Sequence, residues 1–515
     1  MYVQLLCLVS LSLGDKFSEE LALVGLPSGS LNTVFKFTTV FEGADLRAAE
    51  EWQHYQLFPR QLGEMLAAYK VQEVQVSLTQ GHWSYSSWGY PVESTPSGAV
   101  ITARFLPSIP ASSVDSYWEG LTSGLAGLLC ASLNKLDRSQ GVSPLHSFQP
   151  RGAVGGANLT SSPQYLRYGL LPKENVCTEN LTPWKKLLPC KGRRGLAALL
   201  NSGTIQSHSS FQALALSVRP VCSDSSCSSL STELSQTFNL VFDPAVYNQG
   251  KSLELKDWSL KQLFGIGVGS KCPLASNSQV FVELGQKDFQ LTPPPHTEVA
   301  SGSGTNVRSW GVYDVERLAE GGNLQNLRAR YPRSHEYGLV HSPRLSVTRH
   351  LAGTGQERGA VVANIRNTGG EEVTVVYLEV LPWYLRLYLH TLKVSCKGEE
   401  VGVLRQNYVP GVDRARPYML ELVLTLPPRS TVTVSIQFEH SLLRWAEYPP
   451  DANHGFYLGS GVLTARLEHN RNLSIALHSA GQDSTMAQAL LGNPQTSGKD
   501  SFSEENCLFV LHVKH

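Results

Sequence analysis

Leu420-Glu-Leu-Val-Leu-Thr-Leu426 and, after Pro427-Pro428-Arg429-Ser430, Thr431-Val-Thr-Val-Ser-Ile-Gln-Phe438 are the runs from which a fold can be read. Apolar and polar residues alternate in both, the period of a strand with one buried face. The same texture extends upstream through Leu345–His350, Ala360–Arg366, Val373–Leu381 and Trp383–Val394. Asn367-Thr368-Gly369-Gly370 is a turn joining two of these strands. Short strands with regular turn signals predict an antiparallel β-sandwich over residues 342–457. Alternation places Leu345, Val361, Val375, Leu385, Leu422 and Ile436 inside it.

Upstream the pattern is mixed, and residues 15–290 are expected to form an N-terminal α+β domain. Val34–Phe41 and Glu73–Leu78 have period two, and Ala213–Pro220, Leu240–Phe242 and Val280–Val282 also read as strands. Gln61–Val71 has helical spacing. Ser113–Leu136 is the clearest helix, with Val114, Trp118, Leu121, Leu125, Leu128, Leu129 and Leu133 on one face. Cys130 shares that stretch and reads as buried core. Residues 291–341, with Pro293-Pro294-Pro295 and a Gly/Ser stretch at 301–305, predict a linker or long loop. Residues 458–515 read as an atypical, largely disordered tail, most plainly in the polar run 481–505. The fold class is therefore mainly β with some α.

A chain of 515 residues is too long for one core. Its 43 basic residues balance 43 acidic ones, so no basic field exists to hold nucleic acid. No HExxH, GxSxG, GxxxxGK[ST], GxGxxG or Cys-x-x-Cys pattern occurs. No catalytic residue, metal ligand or cofactor is assigned. Residues 1–14 read as a cleaved signal peptide, which would remove Cys7. No later run offers the about twenty apolar residues of a membrane helix, so a lumenal, non-integral protein is expected.

Cys177-Thr-Glu-Asn-Leu-Thr-Pro-Trp-Lys-Lys-Leu-Leu-Pro-Cys190 reads as a disulfide-bearing surface loop. Cys222-Ser-Asp-Ser-Ser-Cys227 turns easily enough for a local disulfide; the alternative is that each pairs elsewhere, for instance with Cys190 or Cys272. Glycosylation triplets begin at Asn158, Asn180 and Asn472. Asn158, in Gly- and Ser-rich surroundings, is the best acceptor; Pro183 lowers acceptor use at Asn180. Trp83, Trp88 and Tyr90 form either an aromatic sugar-binding face or a clamp that holds their loop on the core.

The Cys177–Cys190 segment resembles that of the PIG-T family, subunits of the glycosylphosphatidylinositol (GPI) transamidase. Further matching segments are Leu57-Phe-Pro59, Leu78-Thr-Gln-Gly81, Cys130-Ala-Ser-Leu-Asn134, Lys256-Asp-Trp-Ser-Leu260, Cys272-Pro-Leu-Ala-Ser276, Pro382-Trp-Tyr-Leu-Arg-Leu-Tyr388 and Pro450-Asp-Ala-Asn-His-Gly-Phe-Tyr457. The resemblance runs from about residue 19 to residue 457. It implies a non-catalytic scaffold on the lumenal side of the endoplasmic reticulum, held by a C-terminal membrane helix. The implied partners are a caspase-like protease subunit, which is the catalyst, and other membrane subunits; GPI lipid and precursor proteins are met indirectly. The resemblance also implies an interchain disulfide from Cys177 to the protease subunit and a glycan on Asn158. One such bond leaves another of the eight mature cysteines free, with Cys396 and Cys507 as candidates. Residues 481–515 match nothing in the family, and the membrane helix is missing from the pattern. A reading from a different class remains, a secreted β-sandwich glycan-binding module that uses the loop near Trp83.

Overall fold

The computed structural model describes residues 14–468 and 506–513, apart from 27–28, 53, 92, 94–95, 137–139, 152–161, 175, 191–193, 224–226, 244–256, 285–288, 302–307, 320–323, 332–343, 354–356 and 449–454. The protein is mostly β with some α. Its first half is built on ten strands: β1 (Lys16–Gly25), β2 (Leu31–Phe41), β3 (Val71–Gln80), β4 (Gly98–Phe105), β5 (Leu166–Leu171), β6 (Ser209–Cys222), β7 (Leu230–Phe242), β9 (Asn277–Leu284), β11 (Thr297–Ser301) and β12 (Arg308–Asp314). They form one sheet in the order β11-β12-β9-β1-β2-β7-β6-β3-β4-β5. All pairs are antiparallel except β1–β9. Three short strands, β8 (Asp257–Ser259), β10 (Gln290–Thr292) and β13 (Arg328–Arg330), make a small side sheet.

Alternation decides which way each strand faces. Leu21, Leu23, Phe35 and Phe37 point into the large core, whereas Ala22 and Val34 point to the other face with Phe281, Trp310 and Val312. Helices cover the large-core face: α1 (Arg60–Ala68), α3 (Val114–Leu129), α4 (Thr178–Lys186), α5 (Ser202–His208), α6 (Leu260–Phe264) and α7 (Val315–Ala319). A single turn, α2 (Tyr85–Trp88), sits on the opposite side. Gly120 lets α3 approach α1 closely, because a Cβ there would run into the Tyr69 ring.

The long helix stops at Leu129, earlier than its apolar periodicity suggests. Cys130 takes a left-handed conformation, φ 52°, and closes the last turn. Its side chain is exposed, which corrects the expectation of a buried core cysteine. The stretch expected as a linker also differs. β11, β12 and α7 fall within 291–341, and Trp310, Val312, Tyr313, Val315 and Leu318 are buried. Prolines and Gly/Ser surround these strands and hide a short apolar alternation in the sequence.

The second half is a β-sandwich. One sheet has the order β14-β15-β21-β17-β18, from β14 (Leu345–Ala352), β15 (Arg358–Asn367), β21 (Ser430–His440), β17 (Leu385–Cys396) and β18 (Glu399–Glu400). The other is β19-β20-β16-β22-β23, from β19 (Arg405–Val409), β20 (Tyr418–Leu426), β16 (Val373–Leu381), β22 (Gly461–Glu468) and β23 (Asn506–Val513). All pairs are antiparallel. The six side chains expected inside are buried.

Asn367–Gly370 joins β15 to β16, which lie in different sheets, so it crosses the sandwich rather than closing a hairpin. Asn367 fixes the crossing: its Oδ1 accepts from Gly369 N at 2.9 Å and its Nδ2 donates to Glu371 O at 2.8 Å. Beyond residue 457, β22 pairs with β16 and puts Leu463 and Ala465 into the core. That part of the presumed tail belongs to the sandwich. The polar run 481–505 lies outside the described residues.

Candidate functional site at the Cys177 helix cap

The segment 177–190, expected as a loop, folds as α4 with Cys177 at its N-cap. Sequence favours the helix locally: Glu179 lies in the first turn, and Lys185 and Lys186 in the last, each opposite the partial charge of the helix end. Trp184 locks α4 to the sheet. It is fully buried, donates from Nε1 to Ala215 O at 3.0 Å, and meets the Phe37 ring edge-on at 6.2 Å. Gln236 Nε2 donates to Trp184 O at 3.0 Å. Lys185 donates to Leu200 O at 3.0 Å, and burial lowers its pKa from the usual lysine value.

Asn180 organises the cap. Its Oδ1 accepts from Cys177 N at 3.0 Å, and Cys177 Sγ lies 3.3 Å from the same oxygen. Its Nδ2 donates to Leu129 O at 3.0 Å and Cys130 O at 2.7 Å. One amide thus joins the N-terminus of α4 to the C-terminus of α3. Asn180 is 2% exposed. Both of its amide hydrogens are used, so the folded protein has no room for a glycan there, and Asn180 leaves the set of acceptors. Asn158 and Asn472 lie outside the described residues.

Cys177 is a free, half-buried thiol, and Thr178 and Glu179 beside it are exposed. Cys190 is not its partner, because it is bonded to Cys272. This bond sits against Glu19, whose carboxylate accepts from Ser278 Oγ at 2.6 Å, Leu196 N at 3.0 Å and Cys272 N at 3.4 Å. Burial raises the Glu19 pKa above the usual carboxylate value. Gly195, φ 70°, passes so close that a Cβ would strike the Glu19 carboxylate. Cys222 pairs with Cys227 in the turn between β6 and β7. Cys130 and Cys396 are free. The side chain of Cys507 lies outside the described residues. Sequence reading missed Cys130 as a second accessible thiol close to the cap; its place right after a helical apolar stripe was the misleading signal.

The aromatic loop is a clamp. Trp83 is 9% exposed, donates to Gly89 O at 2.8 Å and meets Trp88 and Phe211 edge-on. Tyr90 Oη donates to Leu345 O at 2.7 Å and accepts from Leu345 N at 2.8 Å, tying the loop to the sandwich. Trp83 is covered by the protein itself and offers no open sugar-binding face, while Trp88 is half-buried against it.

A second junction went unseen in the sequence. Glu421 on β20 is buried and is gripped by the 145–147 loop of the first half. It accepts from Leu145 N at 2.9 Å, His146 N at 3.0 Å, Ser147 N at 2.7 Å and Ser147 Oγ at 2.7 Å. An apolar cluster joins Val100, Val142 and Tyr168 to Leu378, Met419 and Val462 beside it. The two halves therefore hold Cys177 on a continuous, packed body.

Over residues 1–494 the chain matches the profile of the Gpi16 subunit, GPI transamidase component. It is 39% identical over 460 residues to the mouse GPI-anchor transamidase component PIGT, covering 88% of this chain and 77% of that one. The human protein of the same name gives 39% over 459 residues with the same coverage. The GPI transamidase component GPI16 of Saccharomyces cerevisiae is 27% identical over 504 residues, covering 88% of this chain and 80% of that one. The chain belongs to the Gpi16 family of GPI transamidase components. Among the described residues, no helix is long and apolar enough to cross a membrane.

Proposed function

We propose that this protein is the non-catalytic scaffold subunit of a GPI transamidase, supporting attachment of GPI anchors to proteins on the lumenal side of the endoplasmic reticulum. Cys177 ties it to the cysteine-protease-like catalytic subunit by an interchain disulfide. The observation that carries this reading is the division of labour among cysteines: Cys190 and Cys272 bond within the chain, while Cys177 keeps a free thiol at a rigid helix end. A thiol fixed this way presents one geometry to a partner. The covalent link then raises the local concentration of the two chains rather than creating their affinity. Asn158 is proposed as a glycan carrier. Affinity purification of the tagged chain from endoplasmic-reticulum membranes tests the assignment. The expected result is co-purification of a cysteine-protease-like subunit together with membrane subunits and transamidase activity. Purification of the chain alone, from cells that contain those subunits, would contradict it.

A further inference from the structure

One end of the sandwich carries large apolar side chains that the fold does not use. Leu442 is 94% exposed and Trp445 is 93% exposed, on the segment that follows β21. They are not on a slack loop. Trp445–Glu447 is a 3-10 turn, Glu447 N donates to Arg444 O at 2.9 Å, and the Glu447 carboxylate is paired with Arg414. Arg414 also lies 4.7 Å over the Trp383 ring. The turn thus presents Trp445 outward from a braced base.

The aromatic strip continues from there. Tyr448 contacts Phe456 at 6.0 Å between rings, and Phe456 contacts Tyr384 at 4.9 Å. Phe456 and Tyr457 line a cavity of about 250 Å³ whose opposite wall includes Lys135, Lys173 and Glu174 of the first half. Lys173 Nζ lies 5.1 Å over the Tyr457 ring. Glu174 Oε1 is held by Ser132 N at 2.8 Å, so two ammonium groups face one engaged carboxylate. The two lysines suit the cavity to a phosphate-bearing group.

We propose that this end of the molecule seats on a lipid surface, with Leu442 and Trp445 entering the interfacial layer and the Lys135–Lys173 cavity taking a headgroup phosphate. Trp, Leu and Arg together are the composition of an interfacial anchor. Size also favours lipid over a protein partner. Trp445 alone covers about 150–250 Å², and the smaller Leu442 added to it leaves the pair well below the about 800 Å² that a stable protein interface takes from each partner. In a lipid interface each side chain inserts independently. At this end Asp413 is paired with Arg386 at 2.9 Å, and Arg416 is held by the carbonyl of Pro410 at 2.9 Å, so Arg416 and Arg444 add positive charge toward anionic headgroups. The seating does not depend on the Cys177 bond.

The test is vesicle co-sedimentation of the full chain, with phosphatidylcholine vesicles and with phosphatidylcholine vesicles containing phosphatidylinositol. Binding to both is expected, tighter to the second. Leu442→Ser/Trp445→Ser should lower partition into both by at least about tenfold, the scale of losing two such burials. Lys135→Ala/Lys173→Ala should reduce the preference for the anionic vesicles, with Arg416 and Arg444 keeping part of it, and leave the rest. Leu404→Ser, at a 60% exposed leucine near β19, should change nothing. All these side chains are exposed, with Lys173 also lying over the Tyr457 ring, and thermal unfolding checks that each variant folds. Absence of binding to either vesicle overturns the proposal, as does binding that survives Leu442→Ser/Trp445→Ser or an anionic preference undiminished by Lys135→Ala/Lys173→Ala. If Leu442→Ser/Trp445→Ser leaves vesicle binding intact and instead loses a subunit of the assembly, the patch is a protein interface and the proposal falls.

Discussion

Asn180 bears more of the candidate site than its cysteine neighbour does. Its one side-chain amide satisfies the Cys177 amide and two carbonyls at the end of α3. Asn180→Ala leaves the Leu129 carbonyl without its partner in a buried place, at about 1–3 kcal/mol, and the Cys177 amide and Cys130 carbonyl in half-buried places where water offsets most of the loss. The expected outcome is a loss of about 1–3 kcal/mol in chemical unfolding, with Cys177 alkylated faster; an unchanged midpoint and unchanged alkylation would refute the role. Glu19 gives a pH signature. Burial holds its folded pKa above the usual value of 4.5, so the folded state binds the proton more tightly than the unfolded chain. Stability from this group is therefore highest in acid and falls as pH rises from about 4.5 through the raised value. Glu19→Gln should flatten that part of the stability–pH curve. Parallel curves for the parent and Glu19→Gln would exclude the effect.

At the scale of elements, the sandwich was legible because its strands keep strict period two, and Leu345, Val361, Val375, Leu385, Leu422 and Ile436 all lie in its core. The helix face of α3 was legible for the same kind of reason. Its end was not, since a left-handed Cys130 carries no periodic signal. The strands β11 and β12 were hidden by neighbouring prolines and glycines. Asn180 looked like a glycosylation triplet because three residues say nothing of burial, and Cys177 sat in what resembled a loop because Pro183 is unusual inside a helix. Arg349 on β14 and Glu379 on β16 were not singled out at all, although they tie the two sheets together. Their side chains pair in the dry core, Nε to Oε2 at 2.8 Å, with Tyr377 Oη donating to Glu379 at 2.6 Å and Arg349 Nη1 to Gly459 O at 2.9 Å. Removing one member strands the other: Arg349→Ala should cost about 3–5 kcal/mol. A loss below about 1 kcal/mol, within the range of an exposed pair, would show that the pair is dispensable.

For the whole molecule, the proposed function rests on a packed body that carries a free, half-buried thiol at Cys177. Glu421, gripped by the 145–147 loop, fixes the two halves together. Glu421→Ala orphans three backbone amides and is expected to expose the junction to limited proteolysis while each core stays folded; an unchanged digestion pattern would argue against this junction. Tyr90 and the apolar cluster around Met419 act at the same seam. The family assignment places this body in a GPI transamidase, and the proposed scaffold role needs Cys177 outside any intrachain bond. The most direct measurement is non-reducing electrophoresis of the native complex from cells expressing the parent chain, Cys177→Ser or Cys130→Ser. The account predicts a high-mass band, containing this chain and the cysteine-protease-like subunit, for the parent and for Cys130→Ser, collapsing to the single chain in Cys177→Ser and on reduction. The same high-mass band in Cys177→Ser, or its loss in Cys130→Ser alone, would contradict it.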